Sequence, residues 1–223
     1  ADLAEERYTQ ALLQHEGFKE GKIVDAMTGA FADVDKLILN VDEKKARQSG
    51  ATALCAVMTD NKLYVANLGD SEGILCKTAN KQLTSRVIEL TYPHKATNKD
   101  EQKRILDAGG RIIQKRVCGS LAVTRGLGDY DFKIPFVPKG HQDYVSRVPY
   151  FSEMEVDADC EFMVLACDGL WDVVSHKRAA EIVDKVRRKG RSAQEACEAL
   201  ITESLDRETT DNVSVVVVFF HWD

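Results

Sequence analysis

Apolar positions early in the chain follow a helical period. Ile23, Ala26, Met27, Ala30, Phe31, Val34, Leu37 and Ile38 recur at intervals of three and four, which places one apolar stripe along a helix of about four turns. Ahead of it, Leu3 to His15 predicts a second helix that stops at Gly17, since glycine commonly ends a helix. From Ala51 the period shortens. Ala53 to Val57 and Leu63 to Leu68 flank Thr59-Asp60-Asn61-Lys62, a turn composition that predicts a hairpin. Gly69-Asp70-Ser71 breaks the second run and Gly73 to Lys77 starts a third, so the pattern predicts an antiparallel meander.

Lys99 to Ala108 predicts a helix ended by Gly109-Gly110, with Arg111-Ile112-Ile113 extended beyond it. Gly126 to Val148 carries Gly, Asp, Tyr, Pro135 and Pro138 without a period and predicts an exposed loop or flap. Glu161 to Cys167 is a nearly all-apolar strand closed by Asp168-Gly169. Helices over Lys177 to Arg188 and Ala193 to Leu205 follow, the latter opened by a capping box, Ser192 with Glu195. Val213 to His221 is apolar on both faces, the pattern of a strand buried between two layers. Helices grouped before and after the strands, with no β-α-β alternation, predict an α+β layered fold in one domain spanning 1–223.

Composition narrows the class. At 223 residues, 44% hydrophobic and 30% charged, the chain is long enough for a sizeable core and has no disordered character. No apolar run approaches the roughly 18 residues that span a bilayer. The net charge of -6 is spread along the chain, which argues against nucleic-acid binding, and the basic run Lys185 to Lys189 reads as the wet end of a helix. Six scattered cysteines without a C-x-x-C pair read as reduced thiols. The expectation is a monomer, free of membrane and nucleic acid, in the cytoplasm with the nucleus as the alternative compartment.

Two strands border aspartates. Phe162 to Cys167 delivers Asp168 at its carboxyl end, and Asp211 stands ahead of Val213 to Phe220. If the strands are antiparallel neighbours, both carboxylates meet at one rim of a sheet. Convergent carboxylates repel unless a proton or cation lies between them. With oxygen donors alone, that cation is hard, Mg²⁺ or Mn²⁺, and the chemistry it suggests is phosphate-ester hydrolysis. Taken singly, each aspartate reads as a turn or cap residue, and spacing alone does not settle the matter.

The strings Gly50-Ala51-Thr52-Ala53, Leu63 to Ser71, Arg104-Ile105 through Gly110, Arg116 to Arg125, Gly128-Asp129, Leu165-Ala166-Cys167-Asp168-Gly169-Leu170-Trp171-Asp172-Val173-Val174-Ser175 and Asp211-Asn212-Val213-Ser214 closely resemble, in order, the motifs of metal-dependent type 2C protein serine/threonine phosphatases. The resemblance implies a central sandwich of two antiparallel β-sheets flanked by α-helices, with a two-metal centre at one edge. It further implies Mg²⁺ or Mn²⁺, with Asp168 and Asp211 on the first metal and Asp172 on a weaker third. Phosphoserine and phosphothreonine in phosphoproteins would be hydrolysed by metal-activated water without a phosphoenzyme. Asp70 and Asp129 fall in family turns and are expected to bond backbone. Trp171 is expected in the core.

The family pattern begins earlier than this sequence. An arginine, a glutamate and a D-G-H-G-G string should precede the first helix, and their absence predicts that an amino-terminal segment, with strands and further metal ligands, lies outside this chain. Pro93-His94-Lys95-Ala96 stands where D-H-K-P is common, and Glu72 where arginine is. These two departures motivate the alternative of a pseudophosphatase acting as a binding or regulatory module. His94 and His141 read as hydrogen-bonded loop histidines. A lectin-like sandwich is disfavoured by an aromatic content of 7%.

Overall fold

The computed structural model describes residues 1–79 and 82–222. In chain order the elements are α1 (Asp2–Gln14), α2 (Glu16–Lys19), α3 (Ile23–Val41), α4 (Glu43–Gln48), β1 (Gly50–Ala51), β2 (Ala53–Thr59), β3 (Lys62–Leu68), β4 (Glu72–Ala79) and β5 (Gln82–Glu89). There follow α5 (Lys99–Asp107), β6 (Ile112–Ile113), β7 (Arg116–Val117), β8 (Leu127–Gly128), a 3-10 turn at Tyr130–Phe132, β9 (Tyr150–Glu155), β10 (Cys160–Ala166), α6 (Asp168–Trp171), α7 (His176–Arg187), α8 (Ala193–Asp206) and β11 (Val215–Phe219). The larger sheets run β11-β10-β4-β5 and β2-β3-β9, and β1-β8 and β6-β7 are short ribbons. This is the mixed α+β class with antiparallel pairing that the sequence predicts. No helix among the described residues is long and apolar enough to cross a membrane.

The chain forms two compact units. One comprises Ala1–Cys55, Ala66–Asp70 and Pro93–Phe151; the other comprises Ala56–Val65, Ser71–Tyr92 and Ser152–Asp223. In the first, α3 buries the predicted stripe from Ile23 to Val34 and half-buries Leu37 and Ile38, and Tyr8 of α1 packs on Phe31 with ring centroids 4.4 Å apart. In the second, α7 and α8 cover one face of the four-stranded sheet. Ile74, Phe162, Val164, Leu170, Val183 and Leu200 form its core.

Four expectations are corrected. Helix α1 does not stop at Gly17: it ends at His15 in an extended conformation, and the His15 ring accepts a hydrogen bond from the Gly17 amide at 3.1 Å, which starts α2. The meander does not form either. The break at Gly69 carries the chain into another sheet, where β4 pairs with β10 and β5. A local run cannot announce a partner strand that arrives more than eighty residues later. Gly69 adopts φ +113°, and a side chain there would meet Thr52 at 2.3 Å.

The segment from Gly126 to Val148 is irregular as expected but only partly exposed: Ile134, Pro138, Lys139 and Val148 face solvent. Leu127, Tyr130, Lys133, Val137, Tyr144 and Val145 are buried in it. Finally, β11 is the edge of its sheet, with Val217 buried but Val216 and Val218 55% and 36% exposed. Among the described residues only one of its faces is covered.

Candidate metal centre

Strand β10 pairs antiparallel with both β11 and β4, in a register that sets Ala166 opposite Val215 on one side and Glu72 on the other. The carboxyl end of β10 therefore lies beside the amino end of β11. Asp168 opens α6 immediately past β10, and Asp211 stands four residues ahead of β11. The fold thus brings both to one rim of the sheet. Asp168 is half-buried and Asp211 exposed. One Asp211 carboxylate oxygen accepts the Asn212 amide at 2.7 Å, which fixes the turn. Asp172 lies one helical turn past Asp168, its amide donating to the Asp168 carbonyl at 2.8 Å, so the spacing of four sets it on the same side of α6.

The Asp-Gly pair has a steric reason. A Cβ at Gly169 would lie 2.2 Å from the Asn212 carbonyl oxygen, so only glycine lets the two turns approach. Thr209 ties the same place by donating its hydroxyl to the Gly169 carbonyl at 2.8 Å. Trp171 packs against the core as expected, and its indole N–H lies 3.0 Å from the carbonyls of Glu72 and Ala166. Glu72, the residue that departs from the resembled pattern, pairs with His176 Nε2 at 3.2 Å, while His176 Nδ1 faces Glu89 at 3.4 Å. The hydrogen bond that the ring donates to the Glu72 carboxylate raises the His176 pKa, against the effect of burial. Neither Thr209 nor His176 had any signal in its local sequence.

The other sequence-selected residues stand in the unit that contains α3 and α5. His94 is fully buried and packed on Gly69, its Nδ1 3.0 Å from the Gly69 carbonyl. Burial, reinforced by Arg125, lowers its pKa to about 4 and keeps it neutral at pH 7. His141 sits under Gly109 and contacts the Tyr144 hydroxyl. Asp129 adopts a left-handed conformation (φ 49°), with its amide bonded to the Ser49 carbonyl, and burial raises its pKa. Asp70 is buried beside the same break as Gly69. At the position of the missing carboxylate, the Pro93 carbonyl takes the Asn98 side-chain amide at 2.5 Å.

Among the described residues, no three His, Cys, Asp or Glu side chains converge as a metal cage. Mg²⁺ is commonly held by one or two carboxylates with water filling its remaining positions. The donors at this rim therefore fit a hard divalent cation in kind, and in number would supply only part of its shell.

With that geometry in place, comparison with known proteins defines the class. The family model for protein phosphatase 2C matches residues 1–213, and the chain belongs to that family. It is 36% identical over 226 residues to protein spalten of Dictyostelium discoideum, covering 99% of this chain and 22% of that protein. It is 34% identical over 212 residues to protein phosphatase 2C homolog 1 of Saccharomyces cerevisiae, covering 87% of this chain and 68% of the relative. The solved serine-threonine phosphatase 2C from Toxoplasma gondii shares the fold with a TM-score of 0.82 at 22% identity, over 99% of this chain and 82% of that one. The chain thus spans between about a fifth and two thirds of the length of these two curated relatives.

Proposed function

We propose that the protein is a metal-dependent protein serine/threonine phosphatase acting on phosphoproteins. Asp168 and Asp211 hold one Mg²⁺ or Mn²⁺ of a two-metal centre, and Asp172 contributes to a weaker third. One observation carries the reading: the antiparallel pairing of β10 with β11 sets Asp168 and Asp211 at a single sheet edge, in a chain that belongs to the protein phosphatase 2C family. When bound, such a cation lowers the pKa of water and neutralises phosphoryl oxygens.

The chain's own residues do the holding. Asp168 is fixed by the start of α6, Asp211 by its bond to the Asn212 amide, and Asp172 by the helical turn that follows Asp168. Asp211 and Asp172 are exposed, which suits a phosphorylated side chain presented on a protein surface. The same reading takes the protein to be a monomer of the cytoplasm or nucleus.

The test is Mn²⁺-dependent phosphate release from a phosphothreonine peptide by the full-length protein. Asp168→Ala is expected to reduce it to background, and Asp172→Ala to reduce it mainly at low metal. Unchanged turnover in Asp168→Ala would end this reading.

A further inference from the structure

We propose that Cys167 is a positioning residue that sets the separation of Asp168 and Asp211. Its thiol bolts the Asp211 turn to the strand end that carries Asp168. The inference rests on the reading of those aspartates as cation ligands and adds to it the part that holds them in place.

The ladder between β10 and β11 closes with the Cys167 amide donating to the Ser214 carbonyl at 3.2 Å. Beyond that point residues 211–213 have left the sheet, since β11 begins at Val215. The Cys167 side chain reaches across this gap. Its thiol donates to the Asn212 carbonyl at 3.2 Å, and the Ser214 amide donates back to the sulfur at 3.2 Å. A thiol can do both because it is a weak donor and a weak acceptor. The Asn212 carbonyl that accepts the thiol is also the atom against which Gly169 packs. Thr209, two residues before Asp211, reaches the Gly169 carbonyl at 2.8 Å.

Cys167 and Gly169 flank Asp168 in sequence, and Thr209 and Asn212 bracket Asp211. Contacts on both sides of each carboxylate therefore fix the two backbones against one another. Ions such as Mg²⁺ demand near-ideal geometry at short range and gain little from ligands that drift. Partners that orient metal ligands commonly change affinity by roughly 10- to 100-fold when removed.

The experiment compares Mn²⁺ affinity, by electron paramagnetic resonance, in the full-length parent, Cys167→Ala, Cys167→Ser, Thr209→Val and Asp168→Ala. Ser214 amide exchange and the thermal midpoint are measured alongside. Cys167→Ala is expected to weaken Mn²⁺ binding about tenfold and to speed Ser214 exchange, while Cys167→Ser, which keeps a donor and an acceptor, recovers most of both. Thr209→Val gives a smaller loss in the same direction and serves if Cys167→Ala does not fold.

If Asp168→Ala abolishes binding but Cys167→Ala and Thr209→Val bind as the parent does, the clasp is wrong and the cation reading stands. A serine variant as impaired as the alanine variant also overturns the clasp, because hydrogen bonding is then not the cause. If Asp168→Ala itself binds Mn²⁺ normally, the cation reading falls and takes the clasp with it.

Discussion

The sheet of β4, β5, β10 and β11 under α7 and α8 and the irregular segment from Gly126 to Val148 are both well packed, but by different physics. In the sheet region burial is apolar and periodic: Ile74, Phe162, Val164, Val183 and Leu200 interlock, and charges stay at the margin. In the irregular segment the backbone makes few ladder bonds, so buried charge takes their place. Asp35, fully buried on α3, accepts from Lys133 at 3.1 and 3.2 Å, the Tyr130 hydroxyl at 3.0 Å and the Gly128 amide at 2.7 Å. Lys133 also donates to the Gly126 carbonyl at 2.7 Å. Toward the far end of the segment, Arg104 donates to the carbonyls of Asp143 and Tyr144, Arg125 donates to that of Val148, and Glu101 orients both arginines. Buried main-chain groups require partners, and where no strand supplies them, ionised side chains do.

A close-packed apolar core degrades in proportion to the volume lost, whereas a buried ion cluster fails when one member leaves. The largest expected effect is therefore at Asp35. Asp35→Ala strands a buried ammonium, an amide and a phenol, and should cost about 3–5 kcal/mol in urea denaturation. The double variant Asp35→Leu with Lys133→Met should recover part of that loss, since both charges of the fully buried pair are then gone and Arg147, 29% exposed, keeps Asp143 as a partner. A double variant no better than Asp35→Ala would show that the cluster matters for something other than charge balance.

Leu200→Ala, in the sheet region, should cost about 3 kcal/mol, and Leu200→Met much less. A loss from Leu200→Met equal to that from Leu200→Ala would break the contrast from the other side.

Acid titration sharpens it further. Burial first, and Arg125 next, depress His94 from the usual 6.5 to about 4, so its contribution to stability is complete above pH 6.5 and is lost as pH falls toward 4. Burial pushes the Glu101 carboxyl up, but hydrogen bonds from Arg125, Thr124 and Arg104 outweigh it and hold it at about 2. Its contribution is present above the usual 4.5 and is lost between there and 2. Denaturation at pH 7, 5.5 and 4 should show the parent losing stability where His94→Gln is flatter. Parallel curves would exclude His94 as the cause.

The smallest effect belongs to the half-buried pair at the sheet margin. Glu72→Gln should lower the His176 pKa toward its usual value, read by NMR titration, while changing stability by no more than about 1 kcal/mol. The pair stabilises below the usual histidine pKa and loses that contribution as pH rises through the raised one.

These differences explain which parts were legible. The α3 stripe, the hairpin turn after β2, the glycine stop of α5 and the Ser192–Glu195 capping box all follow from neighbours within one or two turns of chain. Asp35 was readable in principle, because it occupies a stripe position one helical turn past Phe31, where a carboxylate signals a buried partner. That partner, Lys133, lies 98 residues away in a stretch without a period.

What the sequence determined by itself was local: where helices and strands form, which faces are apolar, and which acidic residues terminate strands. The order of motifs identified the family because it records many such local constraints at once. Only the tertiary structure decided that β4 leaves the hairpin to pair with β10, that β11 is an edge, that the Gly126–Val148 segment is packed on ions, and that Cys167 and Thr209 close on the Asp211 turn. Each of these depends on groups far apart in the chain meeting at hydrogen-bond distance. A short stretch of sequence fixes the conformations open to it, but the partner that selects among them is supplied by the fold.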